Sequence, residues 1–139
     1  MDTRSLGLDI GDKRIGVALS DPGGILASPF TIIDCTDEKQ DIEAIINIIE
    51  QNQVGQIVAG LPLSMDGSTS EQAEKVKAFV HSLCSHTEVP VEFRDERLTT
   101  VSAKRLMQAA STKKTRRKDR DDAIAAALIL QGYLDESIL

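Results

Sequence analysis

The chain has no tryptophan, one tyrosine and three phenylalanines, so aromatic residues make up 3% of its 139 positions. That leaves little platform for stacking unpaired bases, and such a protein should read nucleotide sequence poorly on its own. Two cysteines, Cys35 and Cys84, are too few for a disulfide framework. They lack metal-ligand spacing and read as reduced thiols of a cytoplasmic protein. The two histidines, His81 and His86, are five residues apart, do not share a helix face, and read as surface residues. No apolar run approaches the roughly 20 residues of a membrane span. The N-terminus carries Asp2 and Arg4 and runs straight into a strand-like stretch, which does not read as a signal peptide.

What remains is an ordinary globular composition, 41% apolar and 27% charged. The length suits one domain, residues 1–139, with a core that needs no staples. The net charge of -6 is unevenly spread. Lys104 to Arg120 holds eight basic residues and one acid, a local +7, so the rest of the chain holds -13. A polyanion responds to the field of such a segment and not to the total charge.

Alternation predicts strands at Ser5–Asp9, around Ile15, Val17 and Leu19, and over Leu26–Ile33, where Pro29 implies an edge or a bend. The stripe Ile42, Ile45, Ile46, Ile49 predicts a helix over Glu38–Gln53. A buried strand at Gln56–Gly60 and a loop at Leu61–Thr69 follow. Thr69 and Gln72 have capping-box spacing for a helix with Ala73, Val76, Val80 and Leu83 on one side. Val91–Asp95 reads as a fifth strand. Ala103, Leu106, Met107 and Ala110 suggest another helix, Ser111–Lys118 a basic loop, and Asp122 the first turn of the last helix. The implied architecture is α/β: a mixed five-stranded sheet, its first three strands antiparallel and the rest parallel, with helices on both faces.

Three acids stand where this chain changes direction. Asp9 ends a strand and opens the turn of Leu8-Asp9-Ile10-Gly11. Glu96 follows the fifth strand. Asp122 begins an Ala-rich helix. Taken singly, each has an ordinary explanation: a turn residue, a surface acid paired with an arginine, and a complement to the helix dipole. Carboxylates gathered at one place repel unless a cation joins them, which is the arrangement a metal-dependent nuclease uses.

The motifs Leu8-Asp9-Ile10-Gly11 with Lys13-Arg14-Ile15-Gly16-Val17-Ala18, Gly60-Leu61-Pro62-Leu63 with Met65-Asp66-Gly67, Asp95-Glu96-Arg97-Leu98-Thr99-Thr100, and Asp122 with Ala125-Ala126 and Ile129-Leu130-Gln131-Gly132-Tyr133-Leu134 occur in that order. The chain thereby resembles the YqgF family of the ribonuclease H-like superfamily over nearly its whole length. Members are described both as nucleases of pre-16S ribosomal RNA and as Holliday junction resolvases. The resemblance implies a ribonuclease H-like fold and a phosphodiester hydrolase whose Asp9, Glu96 and Asp122 hold Mg²⁺ or Mn²⁺.

Two departures from the family pattern stand out. Asp121 occupies a position that is commonly β-branched and apolar, so Asp119 and Asp121 compete with Asp122. The strand Gln56–Gly60 has no acid where many resolvases carry one, so Glu96 must serve. Lys13 and Arg14 are candidates for phosphate contacts beside Asp9, with a solvated turn as the alternative. Lys113, Lys114, Arg116, Arg117, Lys118 and Arg120 are candidates for tracking a nucleic-acid backbone. The expected partner is RNA, the 5′ side of pre-16S ribosomal RNA. A resolvase of branched DNA is the alternative and would need two active sites in a homodimer. A non-catalytic nucleic-acid-binding module is a third reading. Monomer and homodimer both stay open.

Overall fold

The computed structural model describes residues 3–64, 66–67, 70–96 and 117–138; for residues 117–122 and 138 it describes only the backbone. The chain begins with β1 (Arg4–Ile10), β2 (Arg14–Ser20) and β3 (Ala27–Asp34), followed by α1 (Glu38–Gln51), β4 (Val54–Leu61), α2 (Glu71–Cys84), β5 (Val91–Asp95) and α3 (Arg117–Ile138). The strands form one sheet in the order β3-β2-β1-β4-β5. The β1–β2 and β2–β3 pairs are antiparallel, and β1–β4 and β4–β5 are parallel. This is the expected mixed α/β sheet. The antiparallel part is joined by short turns, whereas each parallel neighbour is reached through a helix.

Period-2 alternation divides β1 between two cores. Leu6, Leu8 and Ile10 face α1 and α2, joined by Ile15, Val17, Leu19, Ile57 and Ala59. Stripes of Ile42, Ile45 and Ile49 on α1 and Val76, Val80 and Leu83 on α2 cover them. The opposite face carries Ala18 and Val58 against Ala126, Ala127, Ile129, Leu130 and Leu134 of α3. Small residues let α3 lie close to the sheet. A Cβ on Gly7 would stand 2.7 Å from the Ala126 carbonyl oxygen and 2.8 Å from Leu130 Cβ.

From Ala126, above Gly7, α3 runs to Gln131. The Gln131 amide donates to Ile25 O at 2.9 Å and accepts from Ala27 N at 2.8 Å. Those residues lie in the β2–β3 hairpin, at the end of the sheet where β1 begins, since Leu6 pairs with Leu19. The helix therefore descends antiparallel to β1, and its start lies toward the end of β1 that carries Asp9.

Several local expectations need correction. The cap of α2 is Ser70, whose Oγ accepts from Ala73 N at 3.0 Å and donates to Pro62 O at 2.7 Å. Gln72 instead sends its amide to Ile10 O at 3.5 Å, so the Thr69–Gln72 capping box is replaced by a cap one residue later. Helix α1 is capped by Asp37, which accepts from Gln40 N, and ends at Gln51, not Gln53. Gln53 has a left-handed backbone with φ 54°, incompatible with a further helical turn.

The last helix starts at Arg117, inside the segment expected to be a basic loop, because Arg and Lys are good helix formers even where no apolar period marks them. Asp119 is therefore inside the helix and not its cap, and Asp122 lies in the second turn. Pro29 sits on an edge strand, and the β2–β3 register shifts at Val17/Ala18, whose partners are Thr31 and Pro29. Both expectations for this proline hold. The expected helix at Ala103–Ala110 lies outside the described residues. No helix among them is long and apolar enough to cross a membrane.

Candidate active site

The parallel strands β1, β4 and β5 all end on one side of the sheet, where α/β proteins build sites. Register places Gly60 of β4 opposite Arg94 of β5, and Leu61 opposite Asp95. Glu96 follows at once, so alternation turns Glu92, Arg94 and Glu96 to the face that α3 covers. Asp9 shares that face with Gly7. The strand between them, β4, has Gly60 as its next-to-last residue. A Cβ on Gly60 would stand 2.6 Å from Glu96 Oε1 and 3.0 Å from its Cγ. The Glu96 side chain thus fills the space that Gly60 leaves and arrives beside Asp9.

The two carboxyls are hydrogen-bonded to one another, and the Glu96 pKa is pushed up to about 7. Burial is the largest cause. The charge of Asp9, the hydrogen bond with Asp9 and the charge of Asp95 follow. Near neutrality the pair therefore shares a proton, with protonated Glu96 donating to the Asp9 carboxylate. A second carboxylate this close is tolerated only with a cation, a proton or a divalent metal, to offset the repulsion.

Of the three predicted acids, the structure brings Asp9 and Glu96 together. The Asp122 side chain lies outside the described residues, as do those of Asp119 and Asp121. Its backbone position is informative all the same. Asp122 precedes Ala126 by one helical turn, a rise of about 6 Å, and Asp9 follows Gly7 by two residues, about 6.6 Å along the strand. With Ala126 above Gly7, the second turn of α3 therefore keeps level with Asp9. Among the described residues no three His, Cys, Asp or Glu side chains cluster as a metal site.

The basic candidates are spread out. Lys13 is exposed in the β1–β2 turn. Arg14 pairs with Asp34 across β2–β3 at 3.6 Å. In the same turn Asp12 pairs with Lys75 of α2 at 3.7 Å. Lys113, Lys114 and Arg116 lie outside the described residues, and Arg117, Lys118 and Arg120 are placed only by the backbone of α3's first turn. His81 and His86 are exposed, as expected, and Cys35 and Cys84 are free thiols.

Sequence reasoning gave no role to Gly60 or Arg94. The signal for Gly60 was available, in a glycine inside the buried stretch Ile57–Gly60 near the end of the strand Val54–Leu61. For Arg94 it was the i, i+2 spacing from Glu96.

The profile of the RuvX family, described as Holliday junction resolvase, matches residues 3–136. The chain belongs to the RuvX family. This is the YqgF group expected from the motifs, and it is a family of nucleases. A Clostridioides difficile protein named "Putative pre-16S rRNA nuclease" is 46% identical over 138 residues, 99% of this chain and 98% of its own. A Thermoanaerobacter pseudethanolicus protein of the same name is 46% identical over 133 residues, covering 95% and 96%. In fold, the RuvX chain is similar to Thermus thermophilus RuvC in complex with a Holliday junction substrate, with TM-score 0.67, 14% identity and coverage of 97% and 96%. It is also similar to the fowlpox virus resolvase in complex with Holliday junction DNA, with TM-score 0.60, 11% identity and coverage of 99% and 100%. At such identities the likeness establishes the ribonuclease H-like architecture and nothing finer.

Proposed function

We propose that this RuvX protein hydrolyses phosphodiester bonds of pre-16S ribosomal RNA on its 5′ side, at a divalent-metal site built on Asp9 and Glu96. The observation that carries the reading is the hydrogen-bonded carboxyl pair at the ends of β1 and β5, whose proton a cation can replace. The donor set suits a hard cation, Mg²⁺ or Mn²⁺, with carboxylate and water ligands. Asp9 and Glu96 would hold it, with Asp122 as the third acid. When bound, such a cation would lower the pKa of its water and polarise a phosphoryl oxygen.

The chain's own residues do the remaining work. Gly60 leaves room for the Glu96 carboxyl beside Asp9. Lys13 and Arg14, from the β1–β2 turn, and the basic residues Lys113, Lys114, Arg116, Arg117, Lys118 and Arg120 hold the nucleic-acid backbone by charge. The scarcity of aromatic residues leaves the choice of site to RNA structure or a partner. Assignment to RNA, and with it to the cytoplasm, rests on the relatives at 46% identity over nearly full length. The description of the RuvX family favours a second reading, cleavage of branched DNA, which would require two such sites in a homodimer.

The test is Mn²⁺-dependent cleavage of a 5′-extended 16S RNA fragment, a four-way DNA junction and plain single strands. Asp9→Asn is the control. Cleavage of the RNA alone, lost in Asp9→Asn, supports the proposal, and preference for the junction replaces it with the second reading. Absence of cleavage of every substrate leaves a binding module. Equal cleavage by Asp9→Asn rejects the site.

A further inference from the structure

We infer that Arg94 is a positioning residue, a clamp that fixes the register of helix α3 on the sheet and so sets where the acid on α3 stands relative to Asp9 and Glu96. The inference rests on the proposed active site and adds a residue that touches none of the reacting groups.

Arg94 leaves β5 on the face that α3 covers, two residues before Glu96. Its guanidinium lies against the bare backbone of Gly132. A Cβ there would stand 2.6 Å from the Arg94 Cζ and Nε, so no other residue fits without displacing the group. One turn later Glu136 takes the Arg94 Nη2 at 3.0 Å. The side chain is only 13% exposed, and its Nε is buried with no hydrogen-bond partner. Burying an unpaired donor is costly. A lysine or methionine stem could cover the same surface without that cost. What only a planar, forked group offers is simultaneous contact with a helix backbone and a carboxylate one turn away.

The second fixed point is Gly7 under Ala126. Between Gly7–Ala126 and Arg94–Gly132 the helix is held at two places six residues apart, on two different strands. Sliding or tilting would break one contact or the other. Asp122 lies one turn beyond the first of these points. Burial and the nearby charge of Glu92, two residues before Arg94, raise the pKa of the neighbouring Tyr133, so the same stretch of helix lies beside the same strand.

The experiment compares the full-length parent with Arg94→Lys, Arg94→Met and the exchanged pair Arg94→Glu/Glu136→Arg in Mn²⁺-dependent cleavage. Circular dichroism confirms folding, and the fluorescence of Tyr133, the chain's single tyrosine, reports the β5–α3 contact. An ångström of misplacement is enough to lower kcat about 10- to 100-fold. Arg94→Lys and Arg94→Met should therefore fall by that order, with the Mn²⁺ midpoint raised and KM for the nucleic acid within about twofold. The exchanged pair restores the ion pair but not the contact with Gly132, and should regain only part of the loss. A folded Arg94→Met with parental kcat and Mn²⁺ midpoint overturns the clamp, and so does a change confined to KM, which would make Arg94 a substrate contact. A failure of the active-site reading looks different: Asp9→Asn then cleaves like the parent, whatever Arg94 does.

Discussion

Gly60 and Glu96 occupy one space: the Glu96 carboxyl reaches Asp9 only because the next-to-last residue of β4 has no side chain, a Cβ there falling 2.6 Å from Oε1. A side chain there would meet two side-chain ends, the Ile129 Cδ1 of α3 and the Glu96 carboxyl, and no backbone, so the fold can yield where the site cannot. Gly60→Ala should remain folded, with a melting temperature within a few degrees of the parent. Its kcat should fall at least about 10-fold because Glu96 is displaced. Thermal melts and initial rates on the same sample check this. Parental activity in Gly60→Ala would mean that the position of Glu96 is unimportant.

A second expectation concerns pH. In the unfolded chain Glu96 titrates near 4.5, and in the fold near 7. Between those values the folded protein holds a proton that the unfolded chain has released. Stability is therefore greatest below about 4.5 as far as this group is concerned, and declines as pH rises through 7. The melting temperature of the metal-free protein should fall between pH 5 and pH 8. In Glu96→Gln this component of the slope should vanish. Parallel slopes for parent and Glu96→Gln would show that the raised proton affinity of Glu96 has no energetic consequence.

Gly7 is held to a stricter standard than Gly60, because its near neighbours are a helix backbone oxygen and a Cβ, which cannot swing aside. Gly7→Ala must lift α3 from β1. Overpacking of this kind costs about 1–3 kcal/mol, and chemical denaturation should show a loss of that size. The activity lost should exceed what the unfolded fraction explains, since the helix that carries Asp122 has moved. A neutral Gly7→Ala would contradict the close packing of α3.

The basic segment gives a salt-dependence test. Neutralising the five charges at Lys113, Lys114, Arg116, Arg117 and Lys118 should flatten the plot of log affinity against log salt. The slope should fall by up to about 0.7 per lost contact for single-stranded RNA. Affinity should drop for all sequences alike. An unchanged slope removes this segment from the nucleic-acid interface.

The fold was largely legible because its two periods are clean. Leu6, Leu8 and Ile10 alternate in β1, and Ile42, Ile45 and Ile49 recur on one face of α1, so sheet and helices could be assigned from residue spacing. Boundaries were less legible. Ser70 and Thr69 are both good caps, and only tertiary structure, the bond from Ser70 to Pro62 O, selects the former. The start of α3 was hidden because Arg117–Arg120 has helix propensity but no apolar stripe. Asp9 and Glu96 could be paired only through the family resemblance, since 87 residues separate them and no local pattern joins strands β1 and β5. Gly60 and Arg94 escaped notice because their roles arise from what lies across the sheet. A glycine near a strand end and an arginine on an edge strand each have commoner explanations.

The account depends on Asp9 and Glu96 holding one divalent cation, and titration calorimetry with Mn²⁺ near pH 7, in two buffers of different ionisation enthalpy, tests this most directly. The expected result is saturable binding by the parent with release of the shared proton, seen as a buffer-dependent heat, and loss of both in Asp9→Asn. Binding of equal strength in Asp9→Asn, or no binding by the parent, would contradict it.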